Sequence, residues 1–150
     1  MPKVSFVIPA YNIESYIGRC IQSVKNQTFG DFEAIIVDDA STDSTPEKIV
    51  TAVGDDSRFK VVTHPTNQGL HLARKTAATH TTGEWVFCLD GDDEVTADFL
   101  EQVVARIDQN PVDILHLGIT VIPENGVDPT DAKSFESYIN QQSDFTQGDD

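Results

Sequence analysis

Apolar and polar positions alternate along this chain in blocks rather than singly. KVSFVIP (3–9), FEAIIVD (32–38), KVVTH (60–64), WVFCLD (85–90) and VDILHLGIT (112–120) are short runs rich in β-branched and aromatic residues, the pattern of buried strands. Between them the apolar spacing widens to three and four. Ile13, Ile17, Cys20, Ile21 and Val24 mark a first helix, and Ile49, Val50 and Val53 a second, entered through a capping box from Ser44 to Glu47 with Pro46 in the first turn. Leu70, Ala73 and Ala77 mark a third. A fourth follows Thr96, with Phe99, Leu100, Val103, Val104 and Ile107 on one face and Asn110-Pro111 closing it. Strand and helix in steady alternation predict an α/β fold with a mostly parallel sheet and right-handed crossovers.

The pattern fails from about Pro123. Residues 123–150 carry Glu124, Asp128, Asp131, Glu136, Asp144, Asp149 and Asp150 against Lys133, with a short helix expected around Phe135 to Ile139. The organisation read from the sequence is therefore a domain over 1–122 and, over 123–150, the start of another region or a tail.

Charge narrows the partners. Ten basic residues face 25 acidic ones, a formal net charge of −15, so a polyanion such as nucleic acid is repelled. The opening MPKVSFVIPAYN turns polar too soon for a signal sequence and no apolar run approaches a membrane span, which reads as a cytoplasmic chain. Cys20 and Cys88 lack ligand or redox spacing and are expected in the core.

In open α/β sheets ligands sit beyond the carboxyl ends of the strands. The conspicuous polar groups fall there: Pro9-Ala10-Tyr11-Asn12 after the first strand, Asp38-Asp39 after the second, and Asp90-Gly91-Asp92-Asp93-Glu94 after the fourth. The last cluster is no EF-hand, because Val95 stands where the loop needs glycine and the flank reads as strand. A phosphotransfer aspartate belongs on an earlier strand. PAYNIES holds no glycine, which removes a dinucleotide site. Without that loop a bound diphosphate needs a cation. Mn²⁺ or Mg²⁺ takes oxygen ligands from one or two carboxylates plus phosphate, which Asp90-Gly91-Asp92 supplies, with Gly91 letting the backbone pass close to the ligand.

VSFVIPAYNIESYIGRCIQSVKNQTFGDFEAIIVDDASTDST followed by NQGLHLARKTAATHTTGEWVFCLDGDD resembles, from about Lys3 to Ile122, the nucleotide-sugar-binding half of family 2 glycosyltransferases with the GT-A fold. The resemblance implies a metal-dependent, inverting transfer from a UDP-sugar. Asp90-Gly91-Asp92 is similar to the DXD motif, with Asp92 as metal ligand and Asp90 facing the ribose or metal waters. Asp39 resembles the acceptor of the uracil N3–H and Tyr11 the residue against the base, with Pro9 and Ala10 in the same wall. Arg74 is either a base- or phosphate-side contact or a surface helix residue, and Asp38 either shares the base contact or caps its turn. Asp93 and Glu94 read as supporting or helix N-terminal charges.

An ionised carboxylate only accepts hydrogen bonds, which suits Asp39 to a ring N–H. As a strand-end group facing a cleft, Asp39 is expected to matter for binding and little for stability. His64, His71, His80 and His116 lack ligand spacing; His71, within NQGLHLAR, is the histidine placed best to touch a nucleotide.

The family's general base is not found and is expected beyond Asp150. Carbohydrate, lipid-linked or protein acceptors are all compatible with the resemblance, and membrane association only through further C-terminal segments. The rival readings are a non-catalytic nucleotide-sugar-binding module and a receiver-like signalling domain.

Overall fold

Seven residues of one strand, Val4 to Ala10, are buried along their whole length, and the fold is built around them. The computed structural model describes residues 1–109 with Leu115 and Leu117. The strand expected at 112–120, the helix near 135–139, His116 and the 122/123 boundary lie outside the described residues. The elements run β1 (Val4–Ala10), α1 (Ile17–Lys25), β2 (Phe32–Asp38), α2 (Thr45–Val53), β3 (Phe59–Thr63), α3 (Leu70–Ala78), β4 (Trp85–Cys88) and α4 (Phe99–Gln109).

The described strands form a four-stranded parallel sheet of order β3-β2-β1-β4. Val4 of β1 lies opposite Phe32 of β2 and Trp85 of β4. The chain steps outward from β1 to β3, then returns to the far side of β1. That reversal sends α3 to the other face of the sheet if every crossover stays right-handed. Two cores show this. Phe6 and Ile8 pack with Ile17, Ile21, Ile49 and Leu100 on one face; Val7, Ile35 and Val37 meet Ala73 and Ala77 of α3 on the other. Fully burying each such aliphatic side chain contributes about 1.5–3 kcal/mol. Phe6 anchors the larger core, edge-on to Phe32 at 5.8 Å and to Phe87 at 5.7 Å.

Three expectations change. The capping box at α2 does not form: the Ser44 side chain makes no cap hydrogen bond. Asp43 Oδ1 accepts from the Thr45 N–H at 2.9 Å instead, and the Ser44 N–H donates to Glu14 Oε2 at 2.8 Å. Cys20 is buried but Cys88 is exposed, because it points to the face where α3 packs on β1 and β2. Leu70 is 49% exposed, since its turn stands at the rim of a cavity rather than over the core. Among the described residues no helix is long and apolar enough to cross a membrane.

Candidate functional site

The order reversal between β1 and β4 opens a crevice at the carboxyl ends of the strands, where α/β sheets bind ligands. A cavity of about 400 Å³ lies there. It brings together Pro9, Ala10, Tyr11, Asp39, Asp90, Gly91 and Asp92 of the expected set and adds Ile13, Asn67, Gly69, Leu70 and Ala73. Asp38, Arg74 and His71 do not line it. A separate concavity of about 320 Å³ between Arg19, Ser23 and Glu94 gathers only Glu94 of the strand-end groups.

The walls are set by the two loops that follow β1 and β2, which bind each other residue by residue. Asn12 N–H donates to Ser41 Oγ at 3.0 Å while Thr42 N–H donates to Asn12 Oδ1 at 2.8 Å. Ile13 N–H reaches Thr45 Oγ1 at 2.9 Å and Glu14 N–H reaches Asp43 Oδ2 at 3.1 Å. Asn12 and Ala40 take left-handed backbone at φ 50° and 60°. Asparagine tolerates this region, whereas an alanine there costs roughly 1–2 kcal/mol. That strain lies directly after Asp39. Tyr11, 45% exposed, stands at the cavity mouth with its ring available to a flat ligand.

Asp39 is only 2% exposed. Its Oδ1 accepts from His64 Nδ1 at 2.6 Å and from the Gln68 N–H at 2.9 Å, and its Oδ2 from the Gly69 N–H at 2.7 Å. Burial alone favours the neutral acid. The His64 hydrogen bond and the two amide donors outweigh it and hold Asp39 below the usual carboxylate range. A carboxylate offers about four lone-pair directions, so with three taken, one on Oδ2 remains. The expectation that Asp39 matters little for stability is therefore corrected: this carboxylate ties β2 to the 64–69 segment. Gly69 sits at φ 86°, backbone that favours glycine. Asp38, also 2% exposed, accepts from the Ser41 N–H at 3.1 Å through Oδ1, the turn-capping arrangement of its two alternatives.

At the other end, Arg74 Nη2 donates to Asp90 Oδ1 at 2.5 Å. Gly91 is buried, and a Cβ there would stand 2.6 Å from Ile13 Cδ1 and 2.8 Å from the Pro9 carbonyl oxygen. Glycine is required by packing against β1's end, not only by approach to a ligand. Asp92 is exposed, and among the described residues none hydrogen-bonds to its side chain. Partial burial and the charges of Asp92 and Asp90 push Asp93 above the usual carboxylate range. Glu94 pairs with Arg19 at 3.5 Å. Burial, then the charges of Asp93, Asp92, Glu94 and Asp90, push the Cys20 thiol up to about 12.

Among the described residues no three His, Cys, Asp or Glu side chains are grouped as metal ligands. A divalent ion at Asp92 therefore needs oxygens from a bound ligand, and the exposed Asp92 carboxylate beside Asp90 is the chemistry that would hold one.

Sequence reasoning passed over His64, Asn67 and Gly69. His64 follows a strand and gives no motif, and Gly69 contributes a backbone amide. The one available signal was the glycine within TNQGL, a position able to take positive φ just before a helix.

The sequence profile described as glycosyl transferase family 2 matches residues 5–149. The chain is 32% identical over 124 residues to the UDP-Glc:alpha-D-GlcNAc-diphosphoundecaprenol beta-1,3-glucosyltransferase WfgD of Escherichia coli, covering 83% of this chain and 48% of that protein. It spans about a third of the length of other matched relatives. Among solved structures, TarS of S. aureus in complex with UDP-GlcNAc superposes with a TM-score of 0.67 at 30% identity, covering 81% of this chain and 38% of that one. Mannosyltransferase PcManGT from Pyrobaculum calidifontis, in complex with GDP-Man and Mn²⁺, gives 0.67 at 28% identity, covering 73% and 33%.

Proposed function

The chain belongs to glycosyl transferase family 2, and from that membership we propose that its cavity binds the nucleotide of a UDP-sugar for metal-dependent, inverting transfer. The observation that carries the donor is Asp39. One open acceptor direction on a fixed carboxylate matches the single ring N–H of uracil; guanine presents a ring N–H beside an amine and asks for two. Cytosine presents a bare N3 and is repelled. Tyr11 lies against the base from the β1 side, and Pro9 and Ala10 complete that wall.

The diphosphate then extends toward Asp90 and Asp92. Asp92, exposed and free of protein hydrogen bonds among the described residues, is the residue that would hold Mn²⁺ or Mg²⁺, with Asp90 beside it and turned by Arg74. When bound, such an ion stabilises negative charge on the departing diphosphate. The similar TarS structure holds UDP-GlcNAc and the similar PcManGT structure holds GDP-Man with Mn²⁺, which supports a nucleotide-sugar and a divalent ion at this end of the sheet. The acceptor is a carbohydrate, lipid-linked or protein hydroxyl. The general base that activates it is expected beyond Asp150.

Calorimetry with UDP-, GDP- and dTDP-sugars, each with Mn²⁺ and with EDTA, tests the reading. Preference for the UDP forms with Mn²⁺ is expected. Equal binding of all three would overturn it.

A further inference from the structure

Beneath the wall proposed for the base, Asp39 is backed by two polar residues that belong to no expected site, His64 and Thr76. His64, 7% exposed, follows β3, and its N–H donates to the Asp38 carbonyl at 2.9 Å. Its ring bridges two elements: Nδ1 is 2.6 Å from Asp39 Oδ1, and Nε2 is 2.9 Å from Thr76 Oγ1 of α3. An ionised Asp39 can only accept, so Nδ1 carries the proton. In the neutral ring Nε2 is then an acceptor, matched by the Thr76 hydroxyl. Each partner fixes the next.

We propose that His64 is a positioning residue that sets the base preference of the cavity, by keeping the Asp39 carboxylate an acceptor-only group with one open direction. The inference rests on the donor reading above. Two of the three donors on Asp39 are backbone amides of neighbouring residues, Gln68 and Gly69, on one segment; His64 approaches from β3 and fixes the carboxylate plane against them. Without the Nδ1 donor a second acceptor direction opens, the carboxylate turns, and its protonated form becomes accessible. A protonated Asp39 donates its O–H to the bare N3 of cytosine, a bond the ionised carboxylate cannot make, so the discrimination against cytosine is lost.

The substitutions follow from atom positions. Asparagine places an amide N–H near Nδ1 and rescues the donor. Leucine fills the space and supplies none. UDP and CDP are titrated calorimetrically with Mn²⁺ into the full chain and its His64→Asn and His64→Leu variants, with thermal melts to report folding. The unsubstituted chain is expected to prefer UDP by at least about tenfold, the size of one mismatched hydrogen bond. His64→Asn keeps most of that preference, and His64→Leu reduces it to within about threefold.

Full preference in His64→Leu overturns the inference alone, whereas no preference in the unsubstituted chain overturns the donor reading and the inference with it. Should His64→Leu not fold, the ring nitrogens of His64 are read by NMR in the unsubstituted chain. The Nδ1–H tautomer, with its proton resonance moved by UDP and not by CDP, is expected; an Nε2–H tautomer overturns the inference.

Discussion

Arg74 on α3 donates through Nη2 to Asp90 Oδ1 at the end of β4, at 2.5 Å. The bond crosses the crevice where the sheet order reverses and joins the helix on one face to the loop carrying Asp92. Both side chains stay partly exposed, 34% and 42%, so the pair orients Asp90 more than it holds the fold together. Arg74 Nε is buried with no hydrogen-bond partner among the described residues, an arrangement that an added acceptor from a ligand would complete.

Arg74→Met separates orientation from stability. An ion pair this exposed contributes at most about 1 kcal/mol, so the melting temperature should fall little. UDP affinity with Mn²⁺ should fall by about tenfold as Asp90 loses its anchor and the ligand a donor. Paired melts and calorimetry check it; undiminished affinity would count against any role for Arg74 at the cavity.

Asp92→Asn tests the metal. Affinity for UDP with Mn²⁺ should drop by about 1.4 kcal/mol or more, a tenfold change, while the weak binding left in EDTA should be the same in both proteins. If UDP binds the unsubstituted chain equally with Mn²⁺ and with EDTA, the metal proposal is wrong.

The acidic loop of the cavity was legible in the sequence because its parts are contiguous: Asp90, Gly91 and Asp92 share one loop, and a strand before it fixes where that loop stands. The fold was legible for a related reason. Burial of Ile17, Cys20, Ile21 and Val24 follows their spacing, and β1 is buried on both faces as its unbroken apolar run requires. At the other end of the cavity Pro9, Ala10, Tyr11 and Asp39 were legible as well, but what holds Asp39 in place was hidden. His64 and Asp39 come together only through the pairing of β2 with β3, and the other donors to Asp39 are backbone amides, which every residue but proline possesses. The capping box at Ser44 lost to Asp43, one residue earlier, and to Glu14, an acceptor from the neighbouring loop that local pattern cannot show. Cys88 looked like core because strand composition does not say what covers the second face of a strand.

Gly91→Ala probes the packing beneath the acidic loop. The new Cβ would meet Ile13 Cδ1 at 2.6 Å and the Pro9 carbonyl oxygen at 2.8 Å. The isoleucine can turn aside but the backbone oxygen cannot. Overpacking of this kind costs about 1–3 kcal/mol, measurable by urea unfolding, and the displaced loop should also weaken UDP binding. Unchanged stability would mean that the loop relaxes freely.

The cysteines provide a chemical check. With burial first and the surrounding carboxylates second pushing Cys20 up to about 12, and with Cys88 exposed, a disulfide-exchange reagent at pH 8 should modify Cys88 rapidly and Cys20 only after denaturation. Fast modification of both in the native chain would contradict the burial of α1.

Asp39 links the site to the stability of the sheet, and pH exposes the link. Burial favours its neutral form, but His64 and the amides of Gln68 and Gly69 prevail, so the folded-state value lies below the unfolded one of about 3.9. A depressed carboxylate stabilises the fold fully above the unfolded value. That contribution is lost as pH falls from about 4 through the lower folded value. Asp39→Ala removes it at every pH and leaves His64 and two amides without their acceptor, costing about 3 kcal/mol near neutrality. In urea unfolding at pH 7, 5, 4 and 3, the gap between the two proteins should be constant from 7 to 5 and narrow below about 4. A gap that stays constant down to pH 3 would show that Asp39 is held by packing rather than by its charge, and the case for a fixed, ionised acceptor facing the base would fall with it.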